Sequence, residues 1–214
     1  MKRRAAILIS GRGSNMAALV EAARDPAFPV SFDLVLSNRP DAGGLSIARR
    51  SGVRAEAIDH LEFGQDRAAH ESAIDATLRA ADIEIVCLAG YMRLLTPFLV
   101  RAWRDHMLNI HPSLLPSFPG LNTHARALRA GVKLHGCTVH IVTQETDAGP
   151  ILAQAAVPVL PGDSENSLAR RVLRQEHLIY PAAVAAFASG ASGGLPAADA
   201  CMVNPLSWMI ATAV

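Results

Sequence analysis

Asn109 and His111 stand two residues apart at the end of the apolar run Met107 to Ile110, and a carboxylate, Asp147, follows in a turn-rich loop. Alternate residues of an extended backbone share a face, so a strand here offers an amide donor beside a titratable imidazole. With Asp147 the group contains an oxyanion donor, an acid/base and a carboxylate that can set the imidazole's charge. Pro112, Pro116 and Pro119-Gly120 forbid either a helix or a continued strand after His111. A rigid loop therefore begins where the strand ends, and open α/β sheets bind ligands at such carboxyl ends. A core asparagine and histidine satisfied by backbone groups would show the same spacing, and that alternative stays open at this point.

The residue types narrow the chemistry further. Ser113 lies in no nucleophile elbow and Cys137 falls within a strand-like run. Direct attack of a bound nucleophile on a bound acyl donor is thus favoured over a covalent acyl-enzyme. Metal binding is the rival use of histidines, but His111/His124 and His135/His140 lack helical i, i+4 spacing and cysteine partners. No metal is expected.

A second chemical stretch lies near the start. Ala5 to Ile9 reads as a buried strand, Ser10-Gly11-Arg12-Gly13-Ser14-Asn15 as a glycine turn, and Met16 to Ala23 as a helix. Free amides and the helix dipole converge at such a junction and make an anion site. It is neither a P-loop nor a full dinucleotide fingerprint, and Ser14 and Asn15 could instead be plain helix caps.

The elements that must position these groups alternate. Strands are expected at Phe32 to Leu36, Arg54 to Ile58 and Ile83 to Leu88, with helices at Leu45 to Arg50, Gln65 to Ala80 and from Thr96-Pro97. That order implies a Rossmann-like, doubly wound, mostly parallel α/β sheet. Arg126 to Ala130 forms a short helix, and Cys137 to Val142 with Ile151 to Val159 forms an antiparallel C-terminal strand pair. A helix from Ser164 to Glu176 continues across Pro181 into Ala182 to Ala188.

Composition bounds the rest. The 214 residues suit one domain, expected over 1–190, and a net charge of +1 points to no nucleic-acid or membrane-surface partner. Charged residues make up only 18%, which implies a large core or a buried subunit contact. Cys87, Cys137 and Cys201 have no paired spacing, as expected for reduced thiols in the cytoplasm. The basic start Met1 to Arg4 leads into an apolar run too short for export or a membrane span. Beyond Gly190 an apolar tail, 191–214, holds one charge, Asp199, and is expected to pack on its own core or against a second copy as a homodimer.

Asn109-x-His111-Pro112-Ser113-Leu114-Leu115-Pro116 with Asp147-x-Gly149 resembles the folate-dependent formyltransferase family. Gly11-x-Gly13-Ser14-Asn15, Gly90-Tyr91-Met92-Arg93, Phe118-Pro119-Gly120-Leu121-x-Thr123-His124 and Gln175-Glu176-His177 are similar to its glycinamide ribonucleotide branch in purine synthesis. Relatives acting on methionyl-tRNA add a C-terminal domain, and formyltetrahydrofolate hydrolases an N-terminal one; neither addition is found within these residues.

The resemblance implies an enzyme that passes the formyl group of 10-formyltetrahydrofolate, its co-substrate, to the glycyl amine of the ribonucleotide. A hydrolase that gives the group to water, or an idle binding module, are the alternatives. Asn109, His111 and Asp147 match the family's catalytic positions. Gly13, Ser14 and Asn15 match its phosphate loop, and Glu176 its ribose-holding acid. Met92, Arg93, Leu94 and Leu95 match one pterin-pocket wall, and Val142, Thr143 and Glu145, in the segment to Asp147, the other. Arg67 matches a contact to the folate's glutamate tail. Asn122 and Ala148 depart from the histidine and glycine of some relatives, which puts loop behaviour in question rather than catalysis.

Overall fold

The computed structural model describes residues 1–190, so the expectations for the tail 191–214 fall outside the described residues. The chain runs β1 (Arg3–Ile9), α1 (Ser14–Ala22), β2 (Val30–Ser37), α2 (Gly43–Arg50), β3 (Arg54–Ala57), a 3-10 turn (His60–Phe63) and α3 (Arg67–Ala80). It continues β4 (Ile85–Leu88), α4 (Pro97–Ala102), β5 (Met107–His111), α5 (Thr123–Ala130), β6 (Leu134–Ile141), β7 (Ile151–Pro158) and α6 (Glu165–Ala188).

The seven strands form one sheet in the order β3-β2-β1-β4-β5-β6-β7. Strands β1 to β5 pair in parallel, and β6 runs antiparallel to both β5 and β7. The chain leaves β1 toward β2 on one side and resumes at β4 on the other. A crevice is open at the carboxyl ends of β1 and β4 for that reason.

Helices cover both faces, and β1 shows why. Its residues Ala5 to Ile9 are all 0% exposed, a continuous apolar run of the kind a doubly covered parallel strand needs. Ala5, Ile7 and Ile9 pack with Met16, Leu19, Leu45, Val172 and Val184 on one face. Ala6 and Leu8 pack with Ile74, Leu78, Leu99 and Trp103 on the other. Each such leucine or isoleucine stabilises the fold by about 1.5–3 kcal/mol.

Caps set most helix boundaries. Asp66 caps α3 by accepting from Ala69 N, so the helix starts at Arg67 rather than Gln65. Thr96 caps α4 ahead of Pro97, as the sequence implies. At α1 the cap is Gly13 itself, left-handed at φ 74° with no side-chain cap bond, so the alternative of Ser14 and Asn15 as plain caps does not hold. Helix α5 opens at Thr123 instead of Arg126, because Asn122 takes the left-handed cap position and Thr123 Oγ1 donates to Pro112 O at 2.7 Å. Val142 lies just past the end of β6.

Helix α6 runs unbroken for 24 residues with Pro181 inside it. An interior proline removes a helix bond and costs about 3 kcal/mol; Pro181 lies in a stretch of the helix where Ile179, Tyr180, Ala183 and Val184 are buried as well. Tyr180 OH donates to Leu88 O and Leu108 O, at 3.0 and 3.3 Å, which ties α6 to the adjoining strands β4 and β5.

Candidate active site

Asn109 and His111 both belong to β5, the last parallel strand, and the His111 side chain reaches Asp147. His111 Nδ1 lies 3.5 Å from Asp147 Oδ2, the range of an ion pair when the imidazole is protonated. Its other nitrogen, Nε2, donates to Phe118 O at 3.1 Å. Asp147 also accepts from Gly120 N at 2.8 Å. The loop after β5 thus touches both groups through its backbone.

Asp147 sits at φ 55°, where an aspartate is tolerated more readily than a branched residue. Two residues later, a Cβ on Gly149 would lie 1.8 Å from Ile141 O, so only glycine fits there. Close packing of that glycine on the end of β6 turns the chain and presents Asp147 to His111.

The structure adds a residue that the sequence reading passed over except as a metal ligand. His140 on β6 pairs in register with Asn109, and its Nε2 lies 3.1 Å from Asn109 Nδ2. His140 Nδ1 donates to Ile141 O at 3.0 Å, leaving Nε2 as the acceptor of the neutral ring. Burial lowers its pKa below the usual histidine value, against the opposing pull of that backbone bond and of Asp147. Nε2 is also 3.8 Å from Asp147 Oδ1. Only the antiparallel register of β5 and β6 brings this histidine in, and a linear motif does not show it.

Behind the site, His124 Nδ1 and His135 Nε2 approach to 3.1 Å, with the Phe118 ring 5.9 Å from His135. Burial, then the neighbouring His124 and His111, push the His135 pKa down to about 4. No group of three or more histidine, cysteine or acidic residues that could hold a metal occurs among the described residues.

The glycine turn lies at the carboxyl end of β1. The first amides of α1 have no helical acceptor, and Gly13 brings no side-chain group to cover them. Asn15 Nδ2 donates to Glu176 Oε2 at 2.6 Å, so α1 and α6 meet in a polar contact below the turn. Glu176 is 6% exposed, and burial raises its pKa while the Asn15 bond opposes the rise. The structure therefore brings Gly13, Ser14, Asn15 and Glu176 to one corner.

A cavity of about 690 Å³ opens at the ends of β1 and β2, lined by Ser10, Asn38, His60, Met92 and Arg93 among others. Ser10 Oγ accepts from Met92 N at 2.7 Å and donates to Asn38 Oδ1, which anchors the loop after β4. Leu95 and Val142, one from each folate-wall segment of the sequence reading, pack on the same apolar cluster. Leu94 is exposed, Thr143 Oγ1 donates to Glu145 O at 3.1 Å, and Glu145 faces solvent. Arg67 is exposed at the start of α3 and does not line the cavity.

Comparison with known proteins gives this geometry a family. The model of the formyl transferase family, described as "Formyl transferase", matches residues 3–184. The chain belongs to that family. The phosphoribosylglycinamide formyltransferase of Escherichia coli is 42% identical over 184 residues, which cover 86% of each chain. The human trifunctional purine biosynthetic protein adenosine-3 is 48% identical over 88% of this chain, which spans only 19% of that relative's length. Among solved structures, the Brucella melitensis phosphoribosylglycinamide formyltransferase has 52% identity and a TM-score of 0.85, covering 89% of this chain and 97% of its own. A glycinamide ribonucleotide transformylase from Symbiobacterium toebii has 48% identity and a TM-score of 0.86, over 88% of this chain and 89% of its own. The mixed sheet, with its antiparallel strands at the C-terminal side, is shared with the Symbiobacterium toebii structure. No helix among the described residues is long and apolar enough to cross a membrane.

Proposed function

We propose that this formyltransferase moves the formyl group of 10-formyltetrahydrofolate to the glycyl amine of glycinamide ribonucleotide. The observation that carries the reading is the meeting of Asn109, His111 and Asp147 at the carboxyl end of β5, in a chain alike over 86% of its length to a protein named for this reaction. The amine nitrogen attacks the formyl carbon, forming a C–N bond and an oxyanion. Asn109 Nδ2 and a protonated His111 stabilise that oxygen. Asp147 pairs with the imidazolium and accepts the proton lost by the amine, through water. The bond to folate nitrogen then breaks, that nitrogen takes up a proton, and tetrahydrofolate leaves.

Binding follows from the corners already described. The first amides of α1, from Gly13 to Asn15, hold the phosphate with help from the helix dipole and without a metal. Glu176 holds the ribose hydroxyls. Met92 to Leu95 and Val142 to Glu145 flank the pterin, and Arg67 meets the glutamate tail. The tail 191–214 is a candidate contact between two copies of the chain, which would make a homodimer in the cytoplasm.

Absorbance at the folate chromophore tests the reading. Deformylation should depend on added ribonucleotide; equal rates with and without it would make the protein a hydrolase.

A further inference from the structure

We propose that Gly44, the second residue of α2, is a positioning residue for the phosphate loop, resting on the assignment of Gly13 to Asn15 as that loop. Gly44 N donates to Gly11 O at 3.0 Å, so the start of α2 is bonded to the turn that precedes α1. The two backbones touch. A Cβ on Gly44 would lie 2.5 Å from Ile9 Cδ1, 3.1 Å from Gly11 O and 3.1 Å from Gly13 Cα. A Cβ on Gly13 would in turn lie 2.8 Å from Gly44 Cα.

Two glycines more than thirty positions apart in sequence thus share one close approach, and Gly44 is buried within it. No left-handed conformation accounts for Gly44, because its φ is not among the positive ones. The constraint on it is space. Its neighbour Gly43 is exposed, and a Cβ there meets nothing within 4 Å. Intrinsic helix propensity favours alanine over glycine at both positions. Opposite outcomes at the two sites would therefore come from the close contacts of Gly44 and not from helix propensity.

The consequence falls on one substrate. Gly11 to Gly13 sets where the first amides of α1 point, and an anion held by several amides at once depends on their convergence. A methyl at Gly44 displaces Gly11 O and Gly13 Cα by a few tenths of an ångström. The folate walls at Met92–Leu95 and Val142–Glu145 lie on other segments, and the bond that ties Met92 to the turn is made by Ser10, ahead of the displaced Gly11 and Gly13.

Steady-state kinetics on Gly44→Ala, Gly43→Ala and Gly13→Ala test this. Gly44→Ala should raise the ribonucleotide KM about ten-fold, less than the 10²-fold that a full 1 Å misplacement costs. Its folate KM and kcat should stay at the wild-type values, and Gly43→Ala should match wild type throughout. Adding Ile9→Val removes the closest clashing atom but not the two loop contacts. That double variant should regain thermal stability while keeping the raised KM, and it supplies the reading if Gly44→Ala folds poorly. A Gly44→Ala ribonucleotide KM equal to that of Gly43→Ala, or equal rises for both substrates, would overturn the proposal. If Gly13→Ala also leaves the ribonucleotide KM unchanged, the phosphate-loop assignment itself fails.

Discussion

Asn109 Nδ2 lies 3.1 Å from His140 Nε2, and this contact decides which way the amide faces. His140 uses Nδ1–H on Ile141 O, and burial favours the neutral ring, which leaves Nε2 as its acceptor. The amide nitrogen, not the oxygen, therefore faces His140. One N–H is spent on that bond and the second is left for a reacting oxygen.

Asn109→Ala should lower kcat by about 10²–10³-fold, the usual cost of losing an oxyanion donor. His140→Ala should leave the amide in place but unoriented, with a smaller loss in kcat and both KM values unchanged. Rapid-mixing kinetics on the two variants checks this; near-wild-type turnover in a folded Asn109→Ala would refute the role.

His111→Ala should cost on the order of 10²–10⁴-fold in turnover, as for other positioned acid/base groups. Its ribonucleotide and folate KM values should change far less than kcat. An equal loss in binding would make His111 a structural residue of the pocket.

How far the sequence revealed this site follows from which contacts are local. The two-residue spacing of Asn109 and His111 needs only one strand, and the run Cys137 to Val142 alternates on its own. The part of His140 depends on antiparallel register across β5 and β6, a relation between segments about thirty residues apart that no linear pattern encodes. Asn15 reads equally well as a cap or a phosphate ligand until its bond to Glu176 is seen. The start of α5 was hidden because Gly120-Leu121-Asn122 looks like loop, while Asn122 in fact caps the helix from the left-handed region.

The connection from Ser113 to Lys133 divides in three. Ser113 O, Leu115 N and Leu115 O are bonded to Thr138 and Gln154, so its beginning is fixed to β6 and β7. Helix α5 forms its end, and Pro116 to Asn122 lies between. Hydrogen exchange should slow on folate binding chiefly in that middle stretch, as it closes over the formyl group. Unchanged exchange there would remove closure from the mechanism.

Acid should weaken the fold through His135. Its folded pKa, about 4, lies below the ordinary 6.5, so the native state binds fewer protons than the unfolded chain between those values. The stability tied to this group is complete above pH 6.5 and is lost as pH falls through about 4. Thermal melts across that window should show a steeper fall for wild type than for His135→Gln. Parallel slopes would place the acid sensitivity elsewhere.

The fate of an isotopically labelled formyl carbon tests the central claim most directly. Wild-type protein given labelled 10-formyltetrahydrofolate and glycinamide ribonucleotide should place the label on the glycyl nitrogen, one per tetrahydrofolate formed. Label recovered as free formate in the presence of saturating ribonucleotide would contradict the account.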